Sequence, residues 1–121
     1  MTAEFNYKLN VLVICGRNKR RSRTAAYIFK NDSRFNIKSA GLSAKSEIVL
    51  NEKLLNWAGL ILVMENGHRN RIQKQFKSIN LPAIENLSIA DIYEYLNPQL
   101  IDMLETRINE KLNYYFEKPS K

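Results

Sequence analysis

The sequence predicts an α/β fold, a three-layer sandwich in which helices cover both faces of a four-stranded parallel sheet. Two unbroken apolar runs, residues 11–14 and 60–64, are typical of strands that are buried on both sides. Helical patterns separate these runs from two weaker candidate strands, and such alternation implies parallel pairing through right-handed crossovers. The 121 residues are expected to form a single domain, residues 1–121, with a core of its own.

The first half of the chain is predicted to form a strand, a helix and a second strand. Residues 8–14 form the first strand, and Ser22 is expected to cap a helix that continues to Lys30. Residues 35–38 alternate in polarity as a half-buried strand does. The segment Ser39-Ala40-Gly41 is then expected to turn the chain.

The middle of the chain is predicted to place a helix on each side of the second apolar run. Asn51 is expected to cap a helix that buries Leu54 and Leu55 and stops at Gly59. A basic helix is expected to begin at Asn66-Gly67 and to reach about residue 76.

The end of the chain is predicted to form a weak fourth strand, residues 81–85, and a long helix. Asn97 is a suitable cap for this helix, and Pro98 suits its first position. The apolar face of the helix consists of residues at helical spacing: Leu100, Leu104, Ile108, Leu112 and Tyr115.

A single cysteine at the end of the first strand is the main candidate for chemistry. Five residues follow Cys15, and then come Arg21 and Ser22. Backbone N–H groups in a tight loop at a helix start bind anions, and their field favours the thiolate form of a cysteine placed there. Arg21 can offer a planar fork to two phosphate oxygens. Because ligands bind at the carboxyl ends of parallel strands, the loop is expected to hold a phosphate.

Composition limits the remaining possibilities. An apolar content of 45% and a charged content of 26% are typical of a globular protein. No apolar run approaches a membrane span and no signal peptide is visible, so a cytoplasmic protein without membrane association is expected. One cysteine excludes an internal disulfide, and with one histidine we expect no metal site and no cofactor. The net charge of +7 attracts anions of many kinds, including nucleic acid.

The loop resembles that of the low-molecular-weight protein tyrosine phosphatases, in which a cysteine, five residues and an arginine precede a serine or threonine. Ser39-Ala40-Gly41 is similar to the family's Ser-Ala-Gly segment after its second strand, and residues 60–65 are similar to its third strand and the turn beyond. The chain is shorter than the typical member and is most similar to a compact bacterial branch described as predicted tyrosine phosphatases. The resemblance covers about residues 9–116.

The resemblance implies a phosphatase that needs no metal. The Cys15 thiolate attacks phosphorus and forms a phosphocysteine, Ser22 donates to the thiolate, and Asn18 fixes the shape of the loop. The loop N–H groups and the Arg21 guanidinium hold the equatorial oxygens, so inorganic phosphate or sulfate is expected to bind here. The substrate-binding loop residues are then Gly16, Arg17, Asn18, Lys19 and Arg20.

A leaving phenolate or alkoxide needs a proton, which the family supplies from an Asp-Pro pair on a loop after the fourth strand. Asp91 is the best candidate here, although Ile92 stands where the proline would be, and Glu94 is the reserve. Tyr93 and Tyr95 either flank the cleft and stack on an aromatic substrate or cover the edge of the core.

The sequence also departs from the family's pattern. Arg20 stands where many members carry a second loop cysteine, so protection of the thiol by a loop disulfide is excluded. The related thioredoxin-coupled arsenate reductases need further cysteines, which argues against that activity. Together with Arg17 and Lys19, Arg20 makes the rim cationic and suited to substrates with several phosphates or acidic flanks. His68 is expected to be a surface or capping residue, and Trp57 to lie in the core.

Two functions from different classes therefore stay open. The first is a phosphomonoesterase that acts through Cys15, with phosphotyrosine proteins as the leading substrates. The second is a noncatalytic or weakly catalytic module that binds phosphate-rich partners, such as RNA, through the same loop. The intact spacing from Cys15 to Arg21, followed by Ser22, favours the first function, because a protein that only binds phosphate needs no thiol. The missing Asp-Pro pair favours the second function.

Overall fold

The computed structural model describes residues 8–117, in which strands and helices alternate strictly. The strands are β1 (Leu9–Cys15), β2 (Phe35–Gly41), β3 (Leu60–Val63) and β4 (Ala83–Asn86). The helices are α1 (Arg21–Ile28), α2 (Glu52–Trp57), α3 (Asn66–Gln75) and α4 (Pro98–Glu117). Among the described residues, no helix combines the length and the apolar character that crossing a membrane requires.

The four strands form one parallel sheet in the order β2-β1-β3-β4. β1 is an inner strand, with Cys15 in register with Gly41 of β2 and Ile14 in register with Val63 of β3. Because all four strands run in the same direction, their carboxyl ends lie along one edge of the sheet. Cys15 therefore ends beside the segments that follow β2 and β3.

Two apolar layers cover the sheet, and they use alternate residues of each inner strand. Val11 and Val13 of β1 pack in a cluster with residues of α1 and α4, whereas Leu12 and Ile14 pack in a cluster with residues of α2 and α3. These four side chains are completely buried, which explains why the sequence shows an unbroken apolar run instead of alternation. The predicted three-layer arrangement is confirmed.

Several predicted helix ends are confirmed by their hydrogen bonds. The Asn51 side chain accepts from the N–H of Leu54 at 2.9 Å, and the Asn97 side chain accepts from the N–H groups of Gln99 and Leu100.

Trp57 packs partly buried against the α2/α3 cluster instead of lying deep in the core.

Other details of the prediction were wrong. Ser22 does not cap α1 but lies inside its first turn, because its hydroxyl bonds to the loop that precedes the helix. Ser39-Ala40-Gly41 does not turn the chain but completes β2, because these residues pair with the end of β1. Tyr115 is at helical spacing but is 40% exposed, since α4 extends past the edge of its apolar cluster.

Gly41 is the point where the chain after β1 passes closest to β2. A Cβ atom at this position would collide with Ser46 Oγ and would lie 2.7 Å from backbone atoms of both Arg17 and Asn18. Backbone atoms have little room to move in a packed structure, so only glycine lets the loop after Cys15 follow its path.

We predict that Gly41→Ala lowers the free energy of unfolding by about 1–3 kcal/mol, because the added methyl group overpacks the loop. Gly67→Ala is the matched control, since a Cβ atom there meets nothing within 4 Å. Urea unfolding of both variants measures the difference. A Gly41→Ala variant as stable as Gly67→Ala would show that the close approach is absent in solution.

Candidate active site

Cys15 lies at the centre of a tight loop that connects β1 to α1. The backbone N–H of Asn18 donates to Cys15 Sγ at 3.2 Å, and Ser22 Oγ lies 3.0 Å from the same sulfur. Asn18 makes the turn possible with a φ of 53°, a left-handed conformation that asparagine adopts more readily than most residues. All three residues are buried.

Ser22 connects the sulfur to the side chain of Asn18. Ser22 Oγ donates to Asn18 Oδ1 at 2.8 Å while it also contacts Cys15 Sγ. A hydroxyl has one hydrogen, so it serves either the amide oxygen or the sulfur. When Cys15 carries its proton, the thiol donates to Ser22; when Cys15 is a thiolate, rotation of the Ser22 hydroxyl supplies a donor to the sulfur.

The segment after β2 holds this loop from the other side. The N–H of Leu42 donates to the carbonyl of Cys15 at 3.1 Å, and the N–H of Ser43 donates to the carbonyl of Gly16 at 2.7 Å. These bonds extend the pairing of β1 and β2 into the loop. They fix the backbone at Cys15 and Gly16 before any ligand binds.

Arg21 is a buried cation that contacts three separate parts of the chain. Its side chain is only 4% exposed, and its Nη1 donates to Glu65 Oε2 at 2.6 Å and to the carbonyl of Ile89 at 2.7 Å. Its Nε lies 3.6 Å from Asp91 Oδ1 and is buried without a hydrogen-bond partner among the described residues. A guanidinium has five N–H donors, so Nε and Nη2 keep donors for a ligand.

Glu65 is a functional residue that sequence reasoning missed. It follows β3, and the hydrogen bond and the positive charge of Arg21 hold the pKa of its carboxyl below the usual range, against a smaller opposing effect of burial. The sequence signal that could have indicated Glu65 is a carboxylate two residues after β3, the strand that pairs with β1. The Ile89 carbonyl gave none, because any residue type supplies a carbonyl.

The structure brings the predicted nucleophile, arginine and acid together. A cavity of about 230 Å³ is lined by Cys15, Gly16, Arg17, Lys19, Arg20, Arg21 and Asp91. Glu94 lies outside this lining; its side chain is 83% exposed, and it is 3.8 Å from Arg20 Nε. Of the two candidate acids, only Asp91 lines the cavity that Cys15 and Arg21 share.

Neither Tyr93 nor Tyr95 lines the cavity. Tyr93 is partly buried and packs against the α1/α4 cluster, and Tyr95 lies under the Arg23 guanidinium, 4.8 Å from ring centroid to Cζ. Tyr93 therefore fits the alternative in which the ring covers the edge of the core, whereas Tyr95 is 37% exposed and belongs to neither apolar cluster.

His68 is buried, whereas the sequence suggested a surface or capping residue. It is 7% exposed in the first turn of α3, and its backbone N–H donates to the carbonyl of Glu65 at 3.1 Å. Burial lowers the pKa of His68, and the charges of Arg21 and Arg71 lower it further, while Glu65 and Asp91 partly oppose the shift. Its Nδ1 is buried and has no partner among the described residues.

The fold is that of several solved phosphatases, although no model of a known family and no curated protein matches the sequence. The YwlE arginine phosphatase from Geobacillus stearothermophilus is 22% identical and has a TM-score of 0.66, over 93% of this chain and 99% of that one. The tyrosine phosphatase Wzb from Escherichia coli K30, in complex with phosphate, is 19% identical with a TM-score of 0.68, over 88% and 98%. DARP, a Drosophila arginine phosphatase, is 15% identical with a TM-score of 0.67, over 90% and 99%.

These likenesses confirm the predicted low-molecular-weight phosphatase fold. At identities of 15–22% they establish the fold alone.

We predict that His68 titrates with a midpoint below 6.5, because burial disfavours its charged form. It is the only histidine, so its imidazole C2 proton gives an unambiguous NMR signal. Because His68 binds a proton more tightly in the unfolded chain than in the folded chain, the free energy of unfolding should fall as the pH drops from about 7.5 to 5.5. His68→Gln should weaken that fall, and a midpoint at or above 6.5 would contradict the burial of the ring.

Proposed function

We propose that this protein is a cysteine-dependent phosphomonoesterase of the tyrosine phosphatase type, which forms a phosphocysteine on Cys15. The observation that carries the proposal is the shared cavity of Cys15, Arg21 and Asp91, in which a nucleophile, an anion-binding fork and an acid face the same space. The names of the similar structures, which include tyrosine and arginine phosphatases, support the same reaction class.

The reaction begins with the Cys15 thiolate. The N–H of Asn18 donates to the sulfur, and the Ser22 hydroxyl is within 3.0 Å, so two donors are available to stabilise the negative charge. The thiolate attacks phosphorus on the side opposite the leaving group. A sulfur–phosphorus bond forms as the bond from phosphorus to the ester oxygen breaks.

Arg21 and the loop amides stabilise the transition state, in which charge is spread over three equatorial oxygens. The Nε and Nη2 donors of Arg21 bind these oxygens, since Nη1 is already held by Glu65 and Ile89. This anchoring orients the guanidinium before substrate arrives, so no reorganisation is needed at the moment of reaction.

Asp91 transfers the protons. It gives one to the leaving oxygen in the first step and then, as a carboxylate, takes one from the water that attacks phosphorus in the second step. The second step breaks the sulfur–phosphorus bond, and it releases inorganic phosphate and the Cys15 thiolate. No cofactor takes part in either step.

The leading substrate is a phosphotyrosine side chain, and phosphoarginine is the second candidate because two of the similar structures are named arginine phosphatases. Cys15 has no second cysteine to protect it from oxidation, which fits a reducing compartment such as the cytoplasm. A noncatalytic phosphate-binding module would not need the hydrogen bond that the N–H of Asn18 donates to Cys15 Sγ.

We predict that the wild type hydrolyses para-nitrophenyl phosphate in the presence of EDTA and that Cys15→Ser does not. Asp91→Ala should lower kcat/KM for phenyl phosphate about 100-fold, because phenolate leaves poorly without a proton. Its effect on kcat/KM for para-nitrophenyl phosphate should be much smaller, since nitrophenolate leaves readily. Glu94→Gln is the control, because Glu94 lies outside the cavity, and it should leave both rates within about twofold of the wild type.

Three outcomes would change the account. Activity in Cys15→Ser would exclude a phosphocysteine. Equal losses in Glu94→Gln and Asp91→Ala would remove Asp91 as the specific acid. Binding of inorganic phosphate without any hydrolysis by the wild type would favour the noncatalytic module.

A further inference from the structure

The Cys15 loop separates two cavities. The second cavity, which we call the basic cleft, has a volume of about 430 Å³ and is lined by Arg17, Asn18, Lys19, Arg23, Lys45 and Glu47. Arg17 and Lys19 line both spaces. A molecule whose phosphate sits at Cys15 therefore has its neighbouring groups within reach of the basic cleft.

The charge of the basic cleft is strongly unbalanced. Four cationic side chains and one carboxylate line it. Arg23 Nη1 lies 3.4 Å from Glu47 Oε1, and the two side chains are 41% and 68% exposed, so solvent weakens this pair. Arg17, Lys19 and Lys45 form no ion pair with any carboxylate among residues 8–117. The cleft thus attracts an anion that the chain itself does not supply.

The cations of the basic cleft are carried on backbone that is fixed to the catalytic loop. Lys45 belongs to the segment after β2, where its N–H donates to Ser43 Oγ at 3.0 Å and Ser43 in turn donates to the Gly16 carbonyl. Arg23 is on α1, directly after Arg21 and Ser22, and its guanidinium stacks on Tyr95. The spacing between the cleft and Cys15 is therefore built into the fold.

We propose that the basic cleft binds an anionic side chain of a peptide substrate, either a carboxylate or a second phosphoryl group, next to the phosphorylated residue. This inference rests on the proposed function for the identity of the group at Cys15. It assigns to Lys45 and Arg23 a role in substrate selection that the catalytic reaction itself does not require.

A peptide fits the basic cleft better than a nucleic acid does. No aromatic side chain is part of its lining among the described residues, whereas single-stranded nucleic acids rely on aromatic rings for base stacking. Glu47 also places a carboxylate where a continuous phosphate backbone would pass. A single acidic side chain can instead compete with Glu47 for Arg23.

Binding measured without turnover tests this proposal. Fluorescence anisotropy with Cys15→Ser would compare three phosphotyrosine peptides that carry glutamate, glutamine or phosphoserine at the flanking positions. We expect the glutamate peptide to bind about fivefold tighter than the glutamine peptide at low salt, and the phosphoserine peptide at least as tightly as the glutamate peptide. The glutamate preference should shrink toward unity as salt is raised.

Two variants of the basic cleft should change the glutamate preference in opposite directions, which misfolding of the variants would not produce. Lys45→Gln should reduce the glutamate preference to about twofold or less, whereas Glu47→Gln should increase it, because it removes the competing carboxylate. Lys77→Gln is the matched control: Lys77 is exposed and is not part of the lining of either cavity, so the preference should not change.

Equal affinity for the glutamate and glutamine peptides, or a preference that survives Lys45→Gln, would overturn the proposal. So would an RNA oligonucleotide that binds more tightly than the glutamate peptide and depends on Lys45, since the cleft would then be a nucleic-acid site. The assay needs no hydrolysis, so an inactive wild type would refute the proposed function and leave this result readable.

Discussion

The site depends on one buried cation. Arg21 is almost completely removed from water, and burial of an unpaired charge is strongly unfavourable. Its Nη1 is therefore matched by the Glu65 carboxylate and the Ile89 carbonyl, and its Nε faces Asp91 without bonding to it. The charge is paired well enough to stay buried, and it retains the donors that a phosphate would use.

This pairing is possible because the sheet is parallel. The loop after β1, the residue after β3 and the segment after β4 all begin at the same edge, and backbone bonds from Leu87 to Val63 and from Ile89 to Met64 continue the β3–β4 pairing beyond the strands. Residues that are far apart in sequence thus meet around one guanidinium. Gly41, at the same edge, leaves space for the loop that surrounds the sulfur.

Sequence reasoning predicted those parts of the molecule that depend on local pattern. The apolar runs gave β1 and β3, and the asparagine caps marked the starts of α2 and α4. Cys15, Arg21 and Asp91, chosen from spacing and resemblance, line one cavity.

The errors came from contacts between distant segments. Ser22 has the residue type of a helix cap, but the sulfur and the Asn18 amide take its hydroxyl. His68 has the residue type of a surface position, but it is only 7% exposed in the first turn of α3. Glu65 was overlooked because its partner, Arg21, is 44 residues away in sequence, and only the strand order brings them together.

The proposed mechanism depends on the transfer of a phosphoryl group to Cys15, and trapping the phosphocysteine would demonstrate this step. Asp91→Ala, which should hydrolyse the intermediate slowly, would be mixed with para-nitrophenyl phosphate, denatured rapidly at alkaline pH, where the sulfur–phosphorus bond is stable, and analysed by mass spectrometry. We expect one added phosphoryl group, located on the peptide that contains Cys15. Release of nitrophenolate with no phosphoryl group on that peptide would contradict it.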